Sequence, residues 1–413
     1  MTTVERASEA REVFGSVAGG PGWLLALRER ALERFEAAGM PTRKDEEFKY
    51  TPLTDLAGIS LRPLAAGQAG DSRFATLGTA RFVIANGLVA GGGSELDEGL
   101  LGKIASLDGK LGSSNDGRFC DLNTALFSDC CVVRASRGSE SAPIWIRHVA
   151  LGEGGSCYPR VLISVEDGAE ATVIETFEGS DGAYFTNSVT EIRLGERAAV
   201  RHERIQAEGS RGIHVATLAV HQEGQSNYTG NNWCFGGRVA RTDVNVYLAG
   251  SHTETRLNGV YVGTGQQLID NHTRVDHAEP DGRSFEVYKG ILADKARGVF
   301  NGKIFVYQDA QRTDAKQTNQ AVLLGPNAGV DSKPQLEIFA DDVKCTHGAT
   351  VGALSEEALF YLRSRGIREA EARGLLIRAF AAGAFEQISV DAVREAVEEL
   401  LSAKLAQAGR RSG

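Results

Sequence analysis

A mainly β chain with helical ends is predicted, on three observations. Short runs rich in β-branched and aromatic residues crowd the middle of the chain, as in Arg81-Phe-Val-Ile-Ala85, Val161-Leu-Ile-Ser-Val165 and Gly302-Lys-Ile-Phe-Val-Tyr307. Turn glycines recur there at Gly168, Gly195, Gly224, Gly250 and Gly282, at intervals of 27, 29, 26 and 32 residues. The two ends carry apolar residues at three- and four-residue steps instead. The loose glycine period fits a β-solenoid, in which each turn of chain stacks on the last. An irregular sandwich with glycine turns fits the spacing equally. One detail favours the solenoid: strands such as His252-Thr-Glu-Thr-Arg256 and Asn271-His-Thr-Arg-Val-Asp-His277 are polar on one face. Stacked rungs can turn that face to water, and neighbouring rungs cap every strand edge but the last.

The elements divide the chain into three regions. Residues 1–78 read as mainly helical, with Leu24, Leu27, Ala31 and Phe35 on one face and Gly39 and Pro41 ending the helix. The polar stretch Pro41-Thr-Arg-Lys-Asp-Glu-Glu-Phe-Lys-Tyr50 that follows reads as a solvated loop with two anchoring aromatics. Residues 79–347 hold the strands. Residues 348–413 turn helical again. Ser355 is a suitable N-cap for a helix from Glu356 to Arg365, with acids first, arginines last and Gly366 just beyond. A second helix covers about Glu369 to Gln387. Ser389 can cap a third, with Val393, Val397, Leu400, Leu401 and Leu405 on one face.

Composition narrows the function classes. A net charge of −9 argues against a general nucleic-acid binder, which needs clustered Lys and Arg. No apolar run approaches the roughly 20 residues of a membrane span. The acidic start MTTVERASEAREVF does not read as a secretory signal, so the six cysteines are expected to be reduced thiols in the cytoplasm. Nothing matches a phosphate loop, a dinucleotide fingerprint or a nucleophile elbow.

Histidine and cysteine are the natural candidates for chemistry. His272 and His277 are five apart, so on a strand they face opposite sides and are expected to meet solvent rather than share a metal. Cys130 and Cys131 are adjacent and also diverge, and Cys120, Cys157 and Cys234 stand alone, as small buried apolar groups do. Cys345-Thr346-His347 is different, because spacing of two puts a sulfur and an imidazole on one face. That pair suits iron, zinc or copper, but two ligands do not close a site.

Longer motifs carry a resemblance. Asp341-Asp-Val-Lys-Cys-Thr-His-Gly-Ala-Thr-Val-Gly352, then Leu359-Phe-Tyr-Leu-Arg-Ser-Arg-Gly-Ile367 and Ala379-Phe-Ala381, resemble the C-terminal signature of the SufB/SufD family of the SUF iron–sulfur cluster assembly system. Glu47-Phe-Lys-Tyr-Thr51 resembles its N-terminal motif, and Val287 to Gln320 the end of its core. The His-Gly-Ala-Thr form at His347 to Thr350, without an N-terminal cysteine cluster, is similar to the SufD branch. The resemblance implies a right-handed parallel β-helix between helical terminal domains. It implies a non-catalytic scaffold that pairs with a SufB paralogue through the β-helix and with the ABC-type ATPase SufC through the C-terminal helices. The motif residues Phe360, Tyr361, Arg363, Arg365 and Phe380 fall on that SufC-binding part. His347 matches the family's ligand for a transient cluster shared with SufB, and Cys345 is an auxiliary candidate. No cofactor is expected to stay on the isolated chain, which is a candidate homodimer. Removing residues 355–413 is expected to leave the β-helix folded. The competing reading is a cytosolic β-helix enzyme acting on a carbohydrate.

Overall fold

The computed structural model describes residues 3–17, 19–91, 117–138 and 142–411. Its core is a parallel β-solenoid of about eight turns, with helices before and after it. Successive strands alternate between two sheets. The first stacks Ile144–Ala150, Glu170–Gly179, Ala199–Gln206, Asn227–Cys234, Glu254–Gly263, Arg283–Leu292, Thr313–Leu323 and Val343–Gly352. The second stacks Cys131–Ala135, Arg160–Val165, Phe185–Leu194, Ile213–Gln222, Val239–Leu248, Leu268–His277, Arg297–Val306 and Gly329–Ile338. Pairing between rungs is parallel throughout both stacks. The sandwich alternative is thereby excluded.

The glycine period marks one corner of the solenoid. Gly168, Arg197, Gln225, His252, Asp281 and Arg312 all have positive φ there. Each donates its backbone N–H to the next rung, to the carbonyls of Glu196, Gly224, Ser251, Pro280, Gln311 and Asp342, at 2.6–3.2 Å. Only Gly168 among the periodic glycines takes the left-handed position itself. Gly250 is needed for a different reason: a Cβ there would sit 2.2 Å from the Gly224 nitrogen on the adjacent rung.

The interior differs between the sheets. On the second, Ile163, Ile192, Val220, Val246, Val275 and Ile304 form one aliphatic column in exact register. Each such side chain contributes about 1.5–3 kcal/mol by burial. On the first, polar groups stack inside. Glu175 lies 2.9 Å from both His148 Nε2 and His202 Nε2 and 3.5 Å from Arg204. Burial pushes this carboxyl up, but the two imidazoles outweigh it and hold Glu175 well below the usual range.

The outer faces meet water only in part: His252, Glu254 and Arg256 are exposed or half-exposed as the strand pattern suggested, but helices cover much of the rest. Helices α1 (Thr3–Val17), α2 (Gly22–Ala38) and α3 (Arg118–Leu126) cover the second sheet near its start, with Phe35, Phe119 and Leu126 packed among Phe185, Ile213 and Val239. Gly39 ends α2 with φ +67°, as its position after the periodic face predicts. Pro41 to Thr51 keeps Thr42, Arg43, Lys44, Glu46 and Lys49 in solvent as expected, but only one of its two aromatics anchors it, and Phe48 with Glu47 and Thr51 forms a peg on the same face. Phe48 is buried under the Arg241 guanidinium, 3.9 Å from its ring centroid. Arg241 bonds Asp243, Asp270 and the Glu47 carbonyl. Thr51 donates to Asp270, and the Glu47 carboxylate meets Lys303 and, at 3.3 Å, His272. His272 and His277 do face opposite sides, but both are buried. His277 is inside, 2.9 Å from Ser284 Oγ, and burial pushes it down to about 3.

The C-terminal helices α4 (Glu356–Ser364), α5 (Glu369–Phe385) and α6 (Asp391–Arg411) follow the last strand, which continues through Gly352. Ser355 caps α4 by accepting from Ala358 N at 3.1 Å. The Gly366 and Ile367 amides close its far end on Arg363 O and Leu362 O, a Schellman motif. The cap of α6 is one residue later than Ser389, at Val390, whose carbonyl receives the Val393 and Arg394 amides. Ile377, Phe385, Val393, Val397 and Leu401 pack on Trp145, Ile205, Trp233, Val260 and Ile291 of the first sheet. Residues 355–413 therefore cover part of the core and are not dispensable to it.

Two outcomes follow. Gly250→Ala should lower stability by about 1–3 kcal/mol in urea unfolding, since backbone on the next rung cannot move aside; an unchanged midpoint would show that the corner yields. The second concerns the peg. Burial raises Glu47, yet hydrogen bonds from His272 and Lys303 hold it down at about 2. Its contribution is complete above about pH 4.3 and lost as pH falls through that lowered value. His272 is lowered by burial and by Arg241, but Asp270 and Glu47 together raise it above its ordinary value. Its contribution is complete below about pH 6.5 and lost as pH rises through the raised value. Glu47→Gln should thus cost about 2–3 kcal/mol near pH 5.5 and less on either side. A difference that ignores pH would remove the ion network from the account.

Candidate functional site

Rungs in the middle of the stack have a neighbour on both sides, and among the described residues Cys131–Ala135 at the start pairs on one side only. The strands Gly329–Ile338 and Val343–Gly352 end their sheets, and each pairs on one edge only among the described residues. Apolar side chains that would be buried by a further rung are left open there, notably Ile338, Val351 and Phe339, the last 57% exposed. Sequence reasoning missed this patch. The signal was present in the apolar Leu336-Glu-Ile-Phe339 with no strand pattern after residue 352 to cover it.

Cys345 and His347 both lie on this terminal strand and on one side of it, as their spacing predicts. They stack on Ala315 and Gln317 of the rung below. Their surroundings differ. Cys345 is half-buried beside the small apolar cluster of Ile304, Val306, Ala310 and Ala315, and burial raises its thiol above the ordinary value. His347 is exposed. Among the described residues no group of three or more His, Cys, Asp or Glu side chains is arranged to hold a metal.

The other cysteines behave as small buried apolar groups. Cys130 and Cys131 point into different clusters, and burial pushes both thiols up to about 12. Cys157 and Cys234 are raised to about 12 and about 11 by the same cause. Cys120 is half-buried.

The helix candidates separate by position. On α4 only Leu359 is buried, while Phe360 and Tyr361 are 74% and 58% exposed. Arg365 lies over the Tyr361 ring at 5.3 Å, and Arg363 pairs with Glu369 at 3.5 Å. These four residues form one outward patch of aromatic rings and cations. Phe380 stands apart. It is half-buried, its carbonyl accepts from Lys289 Nζ at 2.6 Å, and that ammonium lies 5.1 Å from its ring. Its ring serves mainly to seat α5 on the solenoid. No described helix is long and apolar enough to cross a membrane.

The fold and its end define a class: a parallel β-solenoid capped by helices on its faces and open at its last rung, with a histidine on the open strand. The family model described as SUF system FeS cluster assembly, SufBD core domain, matches residues 148–380. Iron-sulfur cluster assembly protein SufD of Escherichia coli (strain K12) is 32% identical over 381 residues, covering 89% of this chain and 90% of that protein. Protein ABCI7, chloroplastic, of Arabidopsis thaliana is 32% identical over 400 residues, covering 90% and 84%. Iron-sulfur cluster assembly protein SufD of Bacillus subtilis (strain 168) is 26% identical over 274 residues, covering 64% and 61%. The chain belongs to the SufBD family, and its role lies in SUF iron–sulfur cluster assembly. None of these three names states a catalytic activity.

Exposure at His347 fixes one expectation. His347→Ala should lower the unfolding free energy by no more than about 1.5 kcal/mol, the net worth of one hydrogen bond, because an exposed imidazole buries no apolar packing. A larger loss in urea titration would mean that the imidazole packs against something in solution.

Proposed function

We propose that the chain is the SufD-type scaffold subunit of a cytoplasmic SufB–SufC–SufD complex and catalyses no reaction itself. The observation that carries this reading is the exposed His347 on a terminal strand with an unpaired edge. The edge offers backbone donors and acceptors to a second β-solenoid, and the open patch of Ile338, Phe339 and Val351 offers it apolar surface. A SufB paralogue is the partner of matching shape. Seated there, it would bring a cysteine thiolate to the imidazole. His347 then supplies a neutral nitrogen to iron of the cluster in transit, which is cargo and leaves with the next acceptor. Cys345 is auxiliary, because its raised thiol must lose a proton to the site before it can bind iron. In isolation the same edge can pair with a second copy of the chain.

SufC is assigned to the Phe360, Tyr361, Arg363 and Arg365 patch on α4. Three residues separate Gly352, the end of the terminal strand, from Glu356, the start of α4. Movement of an ATPase bound at α4 is therefore passed directly to the strand that holds His347. The test is a reconstituted three-subunit complex. Phe360→Ala with Tyr361→Ala should abolish SufC co-purification and keep SufB. His347→Ala should keep both partners and lower cluster yield at least tenfold. Undiminished SufC capture would move the ATPase surface elsewhere, and normal yield with His347→Ala would remove the ligand assignment.

A further inference from the structure

We infer that Gln317 positions His347 by accepting a hydrogen bond from the imidazole, so that the other ring nitrogen is offered to iron. The inference rests on the reading of His347 as a ligand. Glu286, Gln317 and His347 occupy one column on three consecutive rungs, in direct register and on the same side of their strands. Rungs are about 4.8 Å apart, within reach of one side-chain hydrogen bond. Gln317 is 1% exposed, and its Nε2 donates to Glu286 Oε1 at 3.2 Å. Burial raises Glu286 to about 7; in its ionised form it only accepts, so the amide nitrogen faces Glu286 and the amide oxygen faces away. That oxygen has no partner among the described residues. A buried unpartnered carbonyl is costly and is normally satisfied. Gly302 on the opposite sheet leaves the room that the amide occupies, since a Cβ there would lie 2.1 Å from Gln317 Nε2. The acceptor is thus held still one rung below an exposed imidazole, which reaches it by rotation about its own side-chain bonds. Ligating histidines nearly always donate their second ring N–H to such an acceptor, which sets tautomer and ring orientation.

Gln317 is a positioning residue, so its test needs a readout that structural damage alone does not move. The full-length chain labelled with 15N-histidine reports the tautomer of each ring by long-range 1H–15N correlation. His347 should show one dominant tautomer, and Gln317→Met should return it to a mixture while the buried His277 signal stays unchanged. Glu286→Gln frees the amide to flip and should give the same change at His347, and this variant serves if Gln317→Met does not fold. In the reconstituted complex either variant should weaken cluster retention about 10–100-fold with His347 still present. An unaltered His347 tautomer in a folded variant overturns the inference and leaves the ligand reading standing. Normal cluster yield with His347→Ala overturns the ligand reading, whatever Gln317 does to the ring.

Discussion

Each rung of this solenoid depends on the next for its backbone partners. A strand buried in a parallel stack spends its N–H and C=O groups on two neighbours, and no strand can satisfy both edges within itself. The corner repeats the same dependence, with left-handed residues donating to the rung beyond from Gly168 through Arg312. The arrangement is self-propagating, so it has to be stopped. Stopping it leaves the last strand of each sheet with a free edge among the described residues, and a layer of side chains with nothing above them. The chain places His347 on one of these two strands.

The helices explain why the end stays open while the rest does not. Both outer faces would otherwise expose wide sheet surface. The N-terminal helices and the Glu47 peg occupy the second sheet, and α5 and α6 occupy the first. Neither group covers Val343 to Gly352, most of which is exposed, although Glu46 of the peg segment pairs with Lys333 on Gly329–Ile338. Burial is therefore concentrated on the faces and withheld from the end, which is the pattern expected where a partner supplies the missing layer.

Much of this was legible in the sequence because it is local. Glycine spacing follows the corner, as at Gly250. The five-residue step puts His272 and His277 on opposite sides, and Ser355 and Gly366 bound α4 through contacts within a few residues. What was not legible depends on contacts across long stretches of chain. Polar residues on a strand read as solvent-facing, yet His272 is buried because Glu47, from a segment over 200 residues earlier, lies on it. The same contact turned part of an apparent loop into a peg. Helix α3 went unseen inside a strand-rich region, and Gln317 drew no notice because a glutamine on a strand says nothing until its column is known. The Cys345–His347 pair was found from spacing alone, and its asymmetry was not.

That asymmetry follows from what lies beneath each residue on the rung below. Two residues on one side of the last strand stack on different columns of the rung below. Cys345 stands over Ala315, whose small side chain lets the thiol sink toward the apolar cluster around Ile304 and Val306. His347 stands over Gln317, a long polar side chain that already fills the column and ties itself to Glu286. The imidazole cannot sink and is held at the mouth. The thiol is thus half-hidden and raised by burial, while the imidazole is presented outward. On the proposed reading, such a rung alone would hold iron loosely and would hold it firmly only when a partner completes the shell. That is what a scaffold must do if its cargo is to be built there and then released.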